Sequence, residues 1–214
     1  MHIADGILSL PVVAGGFGAT GVTAWYCLER IKRAGDPREQ IPRAALLTAA
    51  FFVASLIHIP LPPAGVHLVL NGLLGILLGW FAFPAILVGL FFQAVMFGHG
   101  GLTALGVNAL ILGLPALLAG WFFRLGRQPT ESPGRSGWRG ALVGAGATGG
   151  SLLLFIIILL VGLPADYSQE AARVAITMLA VAHLPLIIIE GTVAGLLVAF
   201  LQRVKPSILH VYGP

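Results

Sequence analysis

Apolar residues run almost unbroken along this chain, and the polar ones fall in a few short clusters between the runs. Stretches long enough to span a bilayer, at roughly 20 apolar residues each, lie at about 10 to 29, 43 to 60, 102 to 123, 139 to 163 and 174 to 202. The stretch from about 65 to 98 is interrupted at Pro84, just after Trp80-Phe81-Ala82-Phe83, so it is either one long kinked helix or a hairpin of two short ones. The basic residues decide. Arg30, Lys32, Arg33, Arg38 and Arg43 form one cluster and Arg124, Arg127, Arg135 and Arg139 the next, and both belong on the cytoplasmic side. Only an even number of crossings between the clusters satisfies that, which selects the hairpin. The prediction is an all-α membrane protein, a bundle of seven transmembrane helices with an extracytoplasmic N-terminus and a cytoplasmic C-terminus. Arg173 is then the one basic residue outside.

Composition agrees with a bundle in lipid. Of the 214 residues, 57% are hydrophobic and 9% charged, and the mean hydropathy of +0.96 lies far outside the soluble range. The 29 glycines suit close helix packing in a bilayer. The net charge of +4 argues for no nucleic-acid partner, because the basic residues flank apolar segments where orientation signals belong. One cysteine, Cys27, excludes an internal disulfide and reads as a small core residue. The whole of 1–214 is expected to be a single transmembrane domain in a multi-pass cell-membrane protein, with 125–138 a cytoplasmic linker marked by Pro129, Pro133, Gly134 and Gly137.

The first two residues change the picture. Met1 to Leu10 carries no Lys or Arg, so it does not read as a cleaved signal peptide, and the bulky His2 discourages removal of Met1. The terminal amine, the His2 amide nitrogen and His2 Nδ1 would then close a five- and a six-membered chelate ring. One further nitrogen would complete a square, the geometry associated with Ni(II) or Cu(II). The segment 1–8 can fold back toward the mouth of the bundle, since an extended residue reaches about 3.4 Å, and His67 is expected near that mouth. His67 alone would read as a solvated helix-end side chain; an ionisable group in a membrane protein is a functional candidate, and the chelate gives it a role. His58, before Ile59-Pro60, is a weaker competitor.

The remaining polar residues divide into possible neighbours of the site and structural contacts. His99 lies in Phe97-Gly98-His99-Gly100-Gly101, either a solvated turn or a gating or supporting group beside the metal. Asn71, four residues after His67, reads as an interhelical polar contact and is also placed to orient the His67 ring. Gln93 and Asn108 read as interhelical polar contacts. His183 and Glu190 lie two turns apart on one helix and are expected to form a structural polar network, with a proton path the less favoured reading. Gly144 to Gly149 matches a dinucleotide fingerprint in spelling alone, because no strand precedes it; helix packing is the better reading. Gly15, Gly18 and Ala19 give the first helix a small face. There is no Gly-x-x-x-x-Gly-Lys-Ser/Thr loop, so ATP-driven transport would need another polypeptide to hydrolyse ATP.

Four motifs together, Met1 to Leu8, Val66 to Gly75, Gln93 to Thr103 and Ala182-His183-Leu184-Pro185 to Glu190-Gly191, resemble the nickel/cobalt substrate-binding subunits of energy-coupling factor transporters, the NikM/CbiM family. The resemblance runs through most of the chain in order. It implies a seven-helix S component that captures Ni(II) or Co(II) outside the cell, with the metal carried as substrate and no catalytic cofactor. It also implies partners: a transmembrane coupling subunit, cytoplasmic ATPase subunits and often a small accessory membrane subunit. The family's ligand roles fall here on Met1, through its amine, on His2, through amide and imidazole, and on His67.

Two other classes remain in view. A membrane-embedded metalloenzyme would need an activated water and a general base, and no His-Glu-x-x-His pattern supplies them. A secondary metal transporter or channel would line a path across the bilayer, whereas the expected ligands cluster at one end. The sequence does not choose between nickel and cobalt.

Overall fold

The computed structural model describes residues 2–61, 64–128, 130–163 and 169–209, with the side chains of 58–66, 169, 171 and 172 left aside. It is nearly all helical. The elements in chain order are α1 (Leu10–Arg33), α2 (Ile41–Ala54), a short antiparallel pair β1 (His58–Leu61) and β2 (Ala64–His67), α3 (Asn71–Leu78), α4 (Ala82–Phe97), α5 (Leu105–Arg124), α6 (Pro133–Gly162) and α7 (Gln169–Val204). Proline at the first or second helical position opens α1, α2 and α6, where the missing N–H is no loss. Among the described residues four segments are long and apolar enough to cross a membrane: Asn71–Phe97, Leu105–Arg124, Pro133–Gly162 and Arg173–Val204.

Several boundaries differ from the sequence expectation. The run expected to span at 43 to 60 is helical only as far as Ala54. Beyond it the chain is extended and pairs back on itself, His58 opposite His67, because prolines in this region block helical backbone and favour extended residues before them. The linker is also shorter than 125–138, since Ser132 caps the Arg135 amide and starts α6 at Pro133.

The segment 71–97 doubles back. Gly79, at φ 56° and ψ −121°, ends α3, and a single 3-10 turn over Gly79–Phe81 leads into α4. His67, before α3, and His99, after α4, approach to 3.4 Å, so the two helices run in opposite directions. At the other end of the bundle Arg43 donates to the carbonyls of Leu77 and Ile208. The Arg124–Pro133 connection closes there too: Arg127 donates to Leu209 O and Gln202, and Arg127, Arg135 and Arg139 surround Glu131.

Helix α5 is central, touching α1, α3, α4 and α6, while α6 and α7 form a long pair. Phe83, Ile86, Leu90, Ile111 and Leu112 fill the core between α4 and α5. Small residues set the spacing. Gly75 of α3 lies directly against the Ala116 carbonyl of α5, where a Cβ would collide with backbone. The Gly144 to Gly149 run lies within α6, with Gly144 against Ala194 of α7, as helix packing requires. The small face of α1 is split: Gly16 packs on Val107, whereas nothing covers Gly15 or Gly18. Cys27 is buried and unpaired with sulfur.

Candidate metal centre

The residues before α1 turn inward. Ile3 is 1% exposed, and its backbone is gripped on both sides by the Asn108 side chain: Ile3 N–H donates to Oδ1 and Ile3 O accepts from Nδ2, each at 2.9 Å. The same Nδ2 also donates to Gly100 O at 3.0 Å, tying the N-terminal segment to the loop after α4. A second clasp lies further out. The Asp5 carboxylate accepts from the amides of Leu102 and Thr103 and from the Thr103 hydroxyl. That hydroxyl first, and the amides after it, hold the Asp5 carboxyl below its ordinary value, so it is ionised throughout the neutral range.

Between these clasps the chain delivers His2 to two other imidazoles. His2 Nδ1 lies 3.2 Å from His67 Nε2, and His67 Nε2 lies 3.4 Å from His99 Nε2. One nitrogen from each of the three rings fits within 4.8 Å of the others. The His2 and His67 rings stack, and His99 stands edge-on to both. Burial first, and the positive charge around it second, lower the His2 pKa well below its usual value, which keeps the ring neutral as a metal donor requires.

The His67 imidazole is aimed by backbone. His67 Nδ1 contacts the Leu68 carbonyl at 3.0 Å; carbonyl oxygen only accepts, so the proton is on Nδ1 and Nε2 keeps its lone pair. The turn carrying His67 is held from α7: Glu190, 3% exposed, accepts from Val69 N–H and Leu70 N–H. Leu70 has φ 51°, an unusual conformation for a branched side chain that costs about 1–2 kcal/mol, and Glu190 holds the two amides just ahead of α3 at that point. His99 is carried by a loop in which Gly98, Gly100 and Gly101 all have positive φ.

The residues singled out from sequence thus fall in different places. His2, His67 and His99 converge; Met1 and the side chain of His58 lie outside the described residues. Asn71 makes its side-chain hydrogen bonds to Leu112 O, Ser151 Oγ and the Gly72 amide, anchoring α3 to α5 and α6, while the Leu68 carbonyl orients His67. His183 bonds Leu179 O one turn back, and Glu190 turns to the 69–70 amides. Asn108 does more than join helices, and Asp5 was not expected to contribute. Their signal in the sequence was an acid in a leader without Lys or Arg and an amide seven residues beyond the Gly100-Gly101 pair.

A bundle of apolar helices enclosing a nitrogen-rich cluster defines a multi-pass membrane protein that handles a transition metal. The chain belongs to the CbiM family, described as the cobalt uptake substrate-specific transmembrane region, which it matches over residues 2–208. It is 31% identical to a putative metal transport protein of Haemophilus influenzae, over 98% of this chain and 97% of that one. It is 34% identical to the fused nickel transport protein NikMN of Rhodobacter capsulatus, over 98% of this chain and 64% of that one. A crystal structure of a transition metal transporter superposes with a TM-score of 0.78 at 26% identity, covering 95% of this chain and 93% of that one.

Proposed function

We propose that this protein captures Ni(II) or Co(II) outside the cell in a planar four-nitrogen site and passes it inward as the substrate-specific subunit of an energy-coupling factor transporter. The donors are the Met1 amine, the His2 amide and Nδ1, and His67 Nε2. The observation that carries this is the 3.2 Å separation of His2 Nδ1 from His67 Nε2. In a square chelate the amine stands opposite His2 Nδ1, so His67 must occupy the place beside Nδ1. Metal–imidazole bonds of about 2.0 Å at a right angle put such neighbours about 2.9 Å apart. A closure of a few tenths of an ångström completes the site.

Seven helices cross the membrane in this reading, with α3 and α4 as two arms of a hairpin. The end of the bundle that gathers Arg43, Arg124, Arg127, Arg135 and Arg139 faces the cytoplasm; the N-terminus and the imidazoles open to the other side. ATP is hydrolysed by partner subunits joined through a transmembrane coupling subunit, with a small accessory membrane subunit assisting. A second reading, in which His2, His67 and His99 alone hold the metal, draws on the closeness of the third ring.

The test is binding and uptake together. His2→Ala and His67→Ala are expected to unfold at temperatures near that of the unchanged protein yet to lose tight Ni(II) and Co(II) binding, because removing one nitrogen breaks the chelate. Uptake into cells by the unchanged protein should require ATPase and coupling subunits. Undiminished binding in both variants contradicts the ligand set, and uptake without an ATPase contradicts the coupling.

A further inference from the structure

Two buried polar atoms beside the imidazole cluster have no hydrogen-bond partner: His2 Nε2 and Gln93 Oε1. They are complementary, since a ring nitrogen can donate while an amide oxygen only accepts. Gln93 sits at the cluster, its own backbone carbonyl accepting from the His99 amide at 3.1 Å, and its side chain faces the His2 ring. Gln93 is fully buried on α4 and Ser55 nearly so.

The orientation of the Gln93 amide is fixed by what lies behind it. Ser55 Oγ donates to the Phe52 carbonyl at 2.7 Å, which spends its only proton. The oxygen can then only accept, and Gln93 must present its NH₂ group, Nε2 to Oγ, at 2.6 Å. Oε1 is left on the other side of the amide, toward His2. The chain Phe52 O, Ser55, Gln93 therefore ends in an acceptor with no hydrogen bond among the described residues. An unsatisfied buried acceptor costs about 1–3 kcal/mol, so its retention calls for a reason.

The chemistry of His2 supplies one. A neutral imidazole carries one ring proton, on Nδ1 or on Nε2. On Nδ1 it would point at His67 Nε2, 3.2 Å away, and occupy the lone pairs of both side-chain nitrogens intended for the metal. On Nε2 it leaves Nδ1 bare, but it needs an acceptor. We propose that Gln93, oriented by Ser55, is a positioning residue that holds the His2 ring proton on Nε2 and so presents Nδ1 to the incoming metal. This rests on the reading of His2 Nδ1 as a ligand. Groups behind a ligand typically change metal affinity by roughly ten- to hundredfold.

The experiment uses the full chain in detergent with an unextended N-terminus. It compares the unchanged protein, Gln93→Leu, Gln93→Glu, Ser55→Ala and His2→Ala. Three quantities are read: Ni(II) affinity by competition, the His2 tautomer from ring ¹⁵N shifts of the metal-free protein with His2→Ala as the assignment control, and the thermal midpoint. Gln93→Leu should shift the proton from Nε2 to Nδ1 and weaken nickel binding roughly ten- to hundredfold. Gln93→Glu keeps an acceptor facing His2 and should retain both the tautomer and the affinity, a rescue that a packing role would not give. Ser55→Ala frees the amide to turn over and should fall between them; if Gln93→Leu does not fold, it carries the test. An unchanged tautomer in Gln93→Leu or Ser55→Ala, or a Gln93→Glu protein as weak as Gln93→Leu, overturns the proposal. Full nickel binding by His2→Ala instead overturns the underlying ligand assignment.

Discussion

Glu190 shows how a single side chain on a distant helix holds the turn that carries His67. Its carboxylate reaches across from α7 to the amides of Val69 and Leu70, the two residues just before α3. Leu70 stays in its left-handed conformation because those amides are held, and His67 is presented three residues earlier. Glu190→Gln keeps one oxygen for both amides but removes the charge and turns a donor NH₂ toward the Leu70 amide, weakening these hydrogen bonds by about 1 kcal/mol. The expected outcome is nickel affinity roughly ten- to hundredfold weaker, with the His67 ring ¹⁵N signals broadened or shifted. Nickel affinity equal to that of the unchanged protein would show that the turn holds without Glu190. At this scale the sequence was informative about residue type and weaker on pairing. It marked Glu190 as a buried acid needing a donor, but backbone amides as that donor have no signature in the side-chain pattern. Asn71 divides: its reading as an interhelical polar contact is met by Leu112 and Ser151, and the contact with His67 that its spacing also suggested is not made by those bonds.

At the scale of elements, the loop between α4 and α5 is the piece that allows three imidazoles to meet. Gly100, at φ +87°, has His2 Cβ and Cδ2 3.2 Å from where its own Cβ would be. Gly100→Ala is thus both strained in backbone and crowded against a ligand. Nickel binding is expected to fall at least tenfold, at a stability cost of about 1–3 kcal/mol, whereas Gly98→Ala meets no neighbour at Cβ and should pay the backbone term alone. Equal nickel affinities for the two variants would remove the packing argument. Long apolar helices were legible from hydropathy, whereas the break expected at Pro84 falls at Gly79–Phe81 instead. The short antiparallel pair over 58–67 was not legible, because an apolar Pro-rich stretch continuing a helical run carries the same hydropathy as the helix itself. The prolines were the available signal, through the extended backbone they impose.

At the scale of the whole molecule, the fold serves to carry the start of the chain into its interior. The Asn108 grip on Ile3, the Asp5 clasp on Thr103 and the loop around His99 all converge on the first few residues, whereas α6 and α7 supply the wall from which Glu190 reaches. The Asp5 carboxyl is held below its ordinary value, so its contribution is present at neutral pH and lost only as pH falls through that lowered value. The proposed chelate is read from Met1-His2 because two chelate rings are a matter of local covalent geometry. The deep placement of His2 beside Gln93 and His67 is a tertiary result. The measurement that reaches the central claim is Ni(II) affinity of the native N-terminus against the same chain with one residue added before Met1, and against the acetylated chain. Every side chain is retained in both altered forms, but the terminal amine becomes an amide and the five-membered ring is displaced. The account predicts that tight nickel binding collapses in both. Binding as tight as in the native form would contradict it and leave the metal to His2, His67 and His99 alone.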